Sequence, residues 1–133
     1  WLTVCAAAHI ATIEAAKKVA DKYGKEIQIE IYGSWTLEDA KRWVDLGIKQ
    51  AIYHRSRDAD LAGIGWTDED INKIKAMSNL GLEVSITGGI TPDAIEKFKG
   101  IPAKTFIAGR ALASSETGVK VAKELATEID KYW

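Results

Sequence analysis

The sequence predicts an α/β fold of the (β/α)8 TIM-barrel type, with only about five βα units, strands four to eight, present in the chain. Two observations carry that expectation. Short apolar runs alternate with amphipathic stretches along all 133 residues without a linker, the pattern of parallel strands covered by helices and of one domain part, 1–133. The glycines that look functional come late, as Thr87-Gly88-Gly89 and Ala108-Gly109-Arg110, at the ends of the last two strands. A doubly wound nucleotide fold would carry G-x-G-x-x-G after its first strand, and nothing of that form follows Trp1 to Ala6. Barrels frequently build a phosphate site from the loops after strands seven and eight, which sets the numbering.

Each element has its own local signal. The first strand is read as Trp1 to Ala6, followed by a helix whose Ile10, Ile13, Ala16 and Ala20 recur at three- and four-residue spacing. A strand from Ile27 to Tyr32 precedes a helix from about Thr36 to Leu46. A strand from Gln50 to Tyr53 runs into "HRSRDADLAGIGW", read as a loop. Thr67 then opens a helix with Asp68, Glu69 and Asp70 in its first turn, where the helix dipole favours acids. The strand Leu82 to Ile86 feeds a helix capped by Thr91 with Pro92 at its first position, where a missing N–H costs nothing. Thr105 to Ala108 is the last strand, and Val119, Ala122, Leu125, Ile129 and Trp133 share one stripe of the closing helix.

Composition narrows the function classes. The chain is 47% hydrophobic and 28% charged, with a formal net charge of -1, as expected of one globular unit. Its 18 Lys and Arg are scattered among 19 Asp and Glu, so no basic stripe is available for nucleic acid. No apolar run approaches the roughly 18 residues of a membrane span, and no signal peptide is read. The single cysteine, Cys5, cannot form an internal disulfide and is expected to be a buried, inert thiol. Together these point to the cytoplasm.

Glycines at a strand's C-terminal end let the backbone approach a ligand, and the helix start beyond offers N–H groups and a positive dipole end to an anion. Thr87, Gly88, Gly89 and Gly109 are therefore candidate phosphate contacts, with Arg110 adding a fixed charge with paired donors. The plainer alternatives are an ordinary strand-to-helix turn and a solvated surface arginine. In "AIYHRSRD", His54 can exchange a proton near neutral pH and Arg57 can hold developing negative charge; alternatively Asp58 merely pairs with Arg55 or Arg57 at the surface. Glu30 alternates with Ile27, Ile29 and Ile31 and so faces the barrel interior, where a carboxylate needs either a role in the chemistry or a structural partner such as a lysine. His9 reads as a loop or cap residue.

"IQIEIYGSWT", "AIYHRSRDADLAGIGW", "SITGG" and "TFIAGRAL" together resemble, in order and spacing, the 3-keto-L-gulonate 6-phosphate decarboxylases of the orotidine monophosphate decarboxylase suprafamily. The resemblance covers essentially the whole chain. It implies a Mg2+-dependent lyase that converts a β-keto sugar acid phosphate to L-xylulose 5-phosphate and carbon dioxide through a cis-enediolate, in L-ascorbate catabolism. It also implies that Thr87, Gly89, Gly109 and Arg110 contact the substrate phosphate, that His54 and Arg57 steer the protonating water, and that Glu30 belongs to the network beneath them.

The family's Asp-x-Lys-x-x-Asp motif and its second-strand acid, which supply the metal ligands and the catalytic lysine, are absent from this sequence. Asp39, Lys41 and Asp45 have the wrong spacing and fall in a helix, where residues two apart diverge by about 200°. No metal ligand is therefore assigned here; Mg2+ ligands are expected on strands outside the chain, which reads as the C-terminal portion of a larger enzyme, inactive alone. Two alternatives stand beside the decarboxylase. One is a 3-hexulose 6-phosphate synthase, a formaldehyde aldolase that resembles the chain at the phosphate loops but not at Arg57; the other is a non-catalytic phosphate-binding half-barrel. The resemblance further implies a homodimer, for which Trp35 and Trp66 are either interface anchors or core filling.

Overall fold

In the computed structural model, which describes residues 1–32, 34–113 and 116–133, five parallel strands lie side by side in chain order. Gly33, inside the first of the family-like runs, lies outside the described residues. The strands are β1 (Leu2–Cys5), β2 (Ile27–Ile31), β3 (Gln50–His54), β4 (Glu83–Thr87) and β5 (Ala103–Ile107). Strictly sequential order has no point of reversal, so this is an arc of a (β/α)8 barrel rather than a doubly wound sheet.

The helices cover one face of the arc. They are α1 (Ile10–Lys22), α2 (Leu37–Asp45), α3 (Arg57–Leu61), α4 (Asp68–Asn79), α5 (Pro92–Ile95) and α6 (Gly118–Ile129). Ile27, Ile29 and Ile31 of β2 and Val84 and Ile86 of β4 point to that side and are buried with Ile13, Trp43, Ile74, Met77 and Phe98. Alternation sends Thr3, Cys5, Gln28, Glu30, Ile52, His54, Ser85 and Thr87 to the opposite face, as the strand register shows. One side of the sheet is thus the hydrophobic core, and the other is a largely polar surface whose far end carries the site.

Capping sets the helix starts. Thr36 and Thr67 each accept from the third residue of their helix, and Asp39 and Asp70 answer back to the threonine N–H, giving a full capping box at α2 and at α4. Ser56 accepts from the Asp58 N–H and opens α3, a short helix in the segment expected to be a loop. His9 is the N-cap of α1, accepting from the Ala11 N–H at 3.2 Å.

Four expectations need correction. Cys5 is exposed rather than buried, because it pairs with Glu30 on the open face of an edge strand. Thr91 stands at the N-cap of α5, but its side chain makes no capping bond. In α6 the inward line is Gly118, Val121, Leu125 and Ile129, while Val119 and Ala122 face outward. Gly118 sits against the Leu112 carbonyl, where a Cβ would lie 2.5 Å away, and this contact turns the helix by part of a turn. Finally, Trp66 is buried against Phe98, and Trp35 packs on Trp43 and Tyr53, so both fill the core rather than anchor an interface.

Candidate functional site

At the C-terminal ends of β3, β4 and β5 the chain surrounds a cleft of about 440 Å3. His54, Arg57, Thr87, Gly88, Gly89, Gly109 and Arg110 all line it, joined by Tyr32, Arg55 and Asp60. Glu30 is one layer below: its Oε1 lies 2.9 Å from Nδ1 of His54, two residues along the neighbouring strand. The carboxylate can only accept, so it selects the tautomer with hydrogen on Nδ1 and leaves Nε2 for proton exchange. The partner of Glu30 is therefore a histidine rather than a lysine. Tyr32 sets its ring edge-on to the imidazole, with centroids 5.0 Å apart, and closes the cleft on that side.

Arg55 supports the floor of the cleft. It is 7% exposed, and each guanidinium nitrogen has a partner: Nε donates to the Gly88 carbonyl at 3.0 Å, Nη1 to the Ile64 carbonyl, and Nη2 to Asp60 Oδ1 at 2.7 Å. Trp66 lies beneath the guanidinium, 5.4 Å from its carbon to the ring centre. The turn that follows β4 is moulded on this arginine. Gly88 and Gly89 have φ of 101° and 67°; a Cβ on Gly88 would stand 2.5 Å from the Arg55 carbonyl, and one on Gly89 would overlap Nη2. These two glycines are accounted for by backbone conformation and by Arg55, before any ligand is considered. Gly109 differs, because its φ is negative and a Cβ there would meet nothing within 4 Å.

The remaining candidates are arranged around this floor. The Thr87 hydroxyl donates to the Ile107 carbonyl at 3.0 Å and ties β4 to β5. Arg57 opens α3, is exposed, and has no partner among the described residues. Asp58 does not pair with either neighbouring arginine; Asp60 does, with Oδ1 on Arg55 and Oδ2 on Arg110 at 2.6 Å. Bonds from Arg110 and then from Arg55 hold the Asp60 carboxyl below the usual aspartate range. The helix-dipole argument weakens here, since α5 spans four residues and Arg110 begins a three-residue 3-10 turn. The free N–H groups of these turns remain, but little macrodipole stands behind them. Among the described residues no three His, Cys, Asp or Glu side chains converge to hold a metal ion.

Sequence reasoning missed Asp60 and the supporting role of Arg55. The available signal was Ser56 followed by acids at positions 58 and 60, a helix start inside the apparent loop. Behind the cleft, Tyr53 Oη donates to Asp70 Oδ1 at 2.7 Å. Burial, and next the bond to Asp70, push the tyrosine hydroxyl well above its ordinary range. Burial pushes the Asp70 carboxyl upward, but bonds from Thr67 and Tyr53 outweigh it and leave the group below its ordinary range. Among the described residues no helix is long and apolar enough to cross a membrane.

Comparison with known proteins agrees with this geometry. A probable 3-keto-L-gulonate-6-phosphate decarboxylase of Haemophilus influenzae is 50% identical over the whole of this chain, which spans 63% of that protein's length. The crystal structure of 3-keto-L-gulonate-6-phosphate decarboxylase from Vibrio cholerae superposes with a TM-score of 0.91 at 65% identity, covering all of this chain and 62% of its own. KGPDC from Streptococcus mutans, solved in complex with a sugar phosphate, superposes with a TM-score of 0.92 at 42% identity over the same shares, 100% and 62%. The family profile described as orotidine 5'-phosphate decarboxylase / HUMPS matches residues 1–125, the stretch that holds every strand and the whole cleft, and this chain belongs to that family.

Proposed function

We propose that the complete protein carrying this sequence decarboxylates 3-keto-L-gulonate 6-phosphate to L-xylulose 5-phosphate, and that this chain supplies the phosphate site and the proton-delivery residues. One observation carries the reading. The cleft joins a two-glycine turn, Gly109 and Arg110 on one wall to a carboxylate-oriented histidine and the exposed Arg57 on the other. The relatives named for this reaction, and the sugar phosphate held by the Streptococcus mutans structure, support a sugar phosphate as the occupant.

In the reaction, the electrons of the C–C bond to the leaving carboxylate pass to the adjacent carbonyl as carbon dioxide departs, giving an enediolate that needs one proton. Charge develops on two oxygens, and cationic side chains aimed at them lower the barrier. Arg57 is placed to face that charge, and Nε2 of His54 to hold the water that returns the proton, while Glu30 fixes the ring. The phosphate is gripped by the backbone around Gly88, Gly89 and Gly109 and by the outer edge of Arg110; the Thr87 hydroxyl contributes through its oxygen, its hydrogen being engaged with Ile107. The described residues do not fit a Mg2+ site, so no step is assigned to the metal here. Catalysis by the 133-residue polypeptide on its own is not expected.

The test is an assay of the complete protein with 3-keto-L-gulonate 6-phosphate beside one with formaldehyde and ribulose 5-phosphate. Release of carbon dioxide should dominate; faster formaldehyde fixation would reverse the assignment in favour of the aldolase. Titration of inorganic phosphate into Arg110→Ala should show weaker binding than into the unaltered protein. Equal affinity would remove Arg110 from the site.

A further inference from the structure

Asp60 joins three parts of the site that are far apart in the chain. Its Oδ1 receives Nη2 of buried Arg55 at 2.7 Å, and its Oδ2 receives Nη2 of Arg110 at 2.6 Å. Arg55 in turn holds the Gly88 carbonyl, and Asp60 Oδ1 lies 2.9 Å from where a Cβ on Gly89 would stand. One carboxylate therefore links α3, the turn after β4 and the turn after β5 directly beneath the cleft. The side chain of Arg110 is otherwise 65% exposed, whereas that of Asp60 is only 30% exposed and that of Arg55 7%. The anchored end of this chain of contacts is Arg55, and the mobile end is Arg110.

We propose that Asp60 is a positioning residue of the phosphate site: it pins one edge of the Arg110 guanidinium above the Gly88-Gly89 turn and leaves the other edge for the phosphate. The inference rests on the reading of Arg110 as a phosphate ligand. A free arginine side chain must surrender most of its rotamer freedom when it grips an anion, and holding it in place beforehand removes much of that cost. A negative charge so close to a phosphate would ordinarily repel it. Here the carboxylate already touches two guanidinium groups, at 2.7 Å and 2.6 Å, so Arg55, Asp60 and Arg110 together keep one net positive charge. Arg110 presents only Nη2 to Asp60, so its Nε and Nη1 donors stay available for paired bonds to phosphate oxygens.

The test is a mutant cycle in the complete protein, with inorganic phosphate as the probe and calorimetry as the readout. Asp60→Asn keeps the volume and one acceptor oxygen but cannot accept from both arginines. It should weaken phosphate binding about tenfold, the cost of one charge-assisted hydrogen bond. Asp60→Glu, which restores two acceptor oxygens, should recover part of the loss. In an Arg110→Ala background, Asp60→Asn should have almost no further effect. An equal additional loss there would show that Asp60 acts through the fold and would overturn the proposal, as would tighter binding by Asp60→Asn alone. Unchanged binding by Arg110→Ala alone would instead defeat the underlying phosphate reading. Because Asp60 also neutralises Arg55, each variant is compared by thermal unfolding. Should Asp60→Asn fail to fold, Arg110→Lys carries the test: a single ammonium group retains the charge but cannot be pinned on one edge while binding on the other. Its affinity should then fall toward that of Arg110→Ala, and affinity equal to that of the arginine protein would overturn the proposal.

Discussion

At the scale of single residues, the pair Glu30 and His54 shows how burial and partner choice create chemistry from ordinary side chains. A carboxylate 2.9 Å from Nδ1 fixes both the orientation and the tautomer of the ring. Replacing Glu30 by Gln keeps the shape but allows the amide to present its NH2 group, so the ring loses its defined tautomer. In the complete enzyme, kcat should fall by a factor on the order of 10² with little change in KM, the magnitude typical of general acid–base assistance. A KM rise with kcat intact would place Glu30 in substrate binding instead. The second residue-scale expectation concerns acid. Asp70 has its folded-state pKa below 3.8, its unfolded value, because bonds from Thr67 and Tyr53 outweigh burial. Its stabilising contribution is therefore complete above that value and is lost as pH falls through the lower folded one. The Tm gap between the unaltered protein and Asp70→Asn should be widest near neutral pH and shrink as pH drops below 3.8. A gap that does not vary over this range would show that the carboxylate's charge plays no part.

At the scale of elements, the two glycine motifs that look alike in sequence separate once their surroundings are known. Gly88 has φ of 101° and no room beside the Arg55 backbone, whereas Gly109 has open space. Gly88→Ala should destabilise the protein by roughly 3 kcal/mol through backbone strain and overlap. Gly109→Ala should leave Tm nearly unchanged yet weaken phosphate binding, so denaturation and calorimetry on the same two variants distinguish a folding glycine from a binding one. This contrast marks the limit of what sequence could convey. Strand identity and the capping threonines Thr36 and Thr67 were legible, because apolar periodicity and capping boxes are local signals. The positions of His54, Thr87, Gly109 and Arg110 at strand ends were legible for the same reason. Helix α3 was hidden because five residues are too few to show a helical period. The Asp60 bridge was hidden because Arg110 lies 50 residues away along the chain, and nothing local announces the pairing. Cys5 was misjudged because an apolar run does not reveal which strand ends at an edge.

At the scale of the whole molecule, the sheet is an arc with two unpaired sides. β1 bonds only to β2 and β5 only to β4 among the described residues, so one row of backbone N–H and C=O groups is open on each side. Both sides carry apolar side chains toward solvent: Leu2 is 62% exposed on β1, and Ile107 is 40% exposed on β5. Open parallel edges with apolar residues recruit other strands, because pairing satisfies the backbone and removes apolar surface from water at once. The 133-residue polypeptide, prepared by itself at about 50 μM, should therefore sediment as dimers and larger species rather than as a monomer. Leu2→Lys together with Ile107→Lys places a charge on each side, the device by which natural edge strands resist pairing, and should shift the distribution toward monomer. The helix-covered face, with Trp43, Phe98 and Ile74 fully buried, is untouched by either change, so far-ultraviolet circular dichroism should stay the same. A monodisperse monomer of the unaltered chain would mean that the two sides protect themselves, and the polar face of the arc would then have to be closed by rearrangement of its own segments.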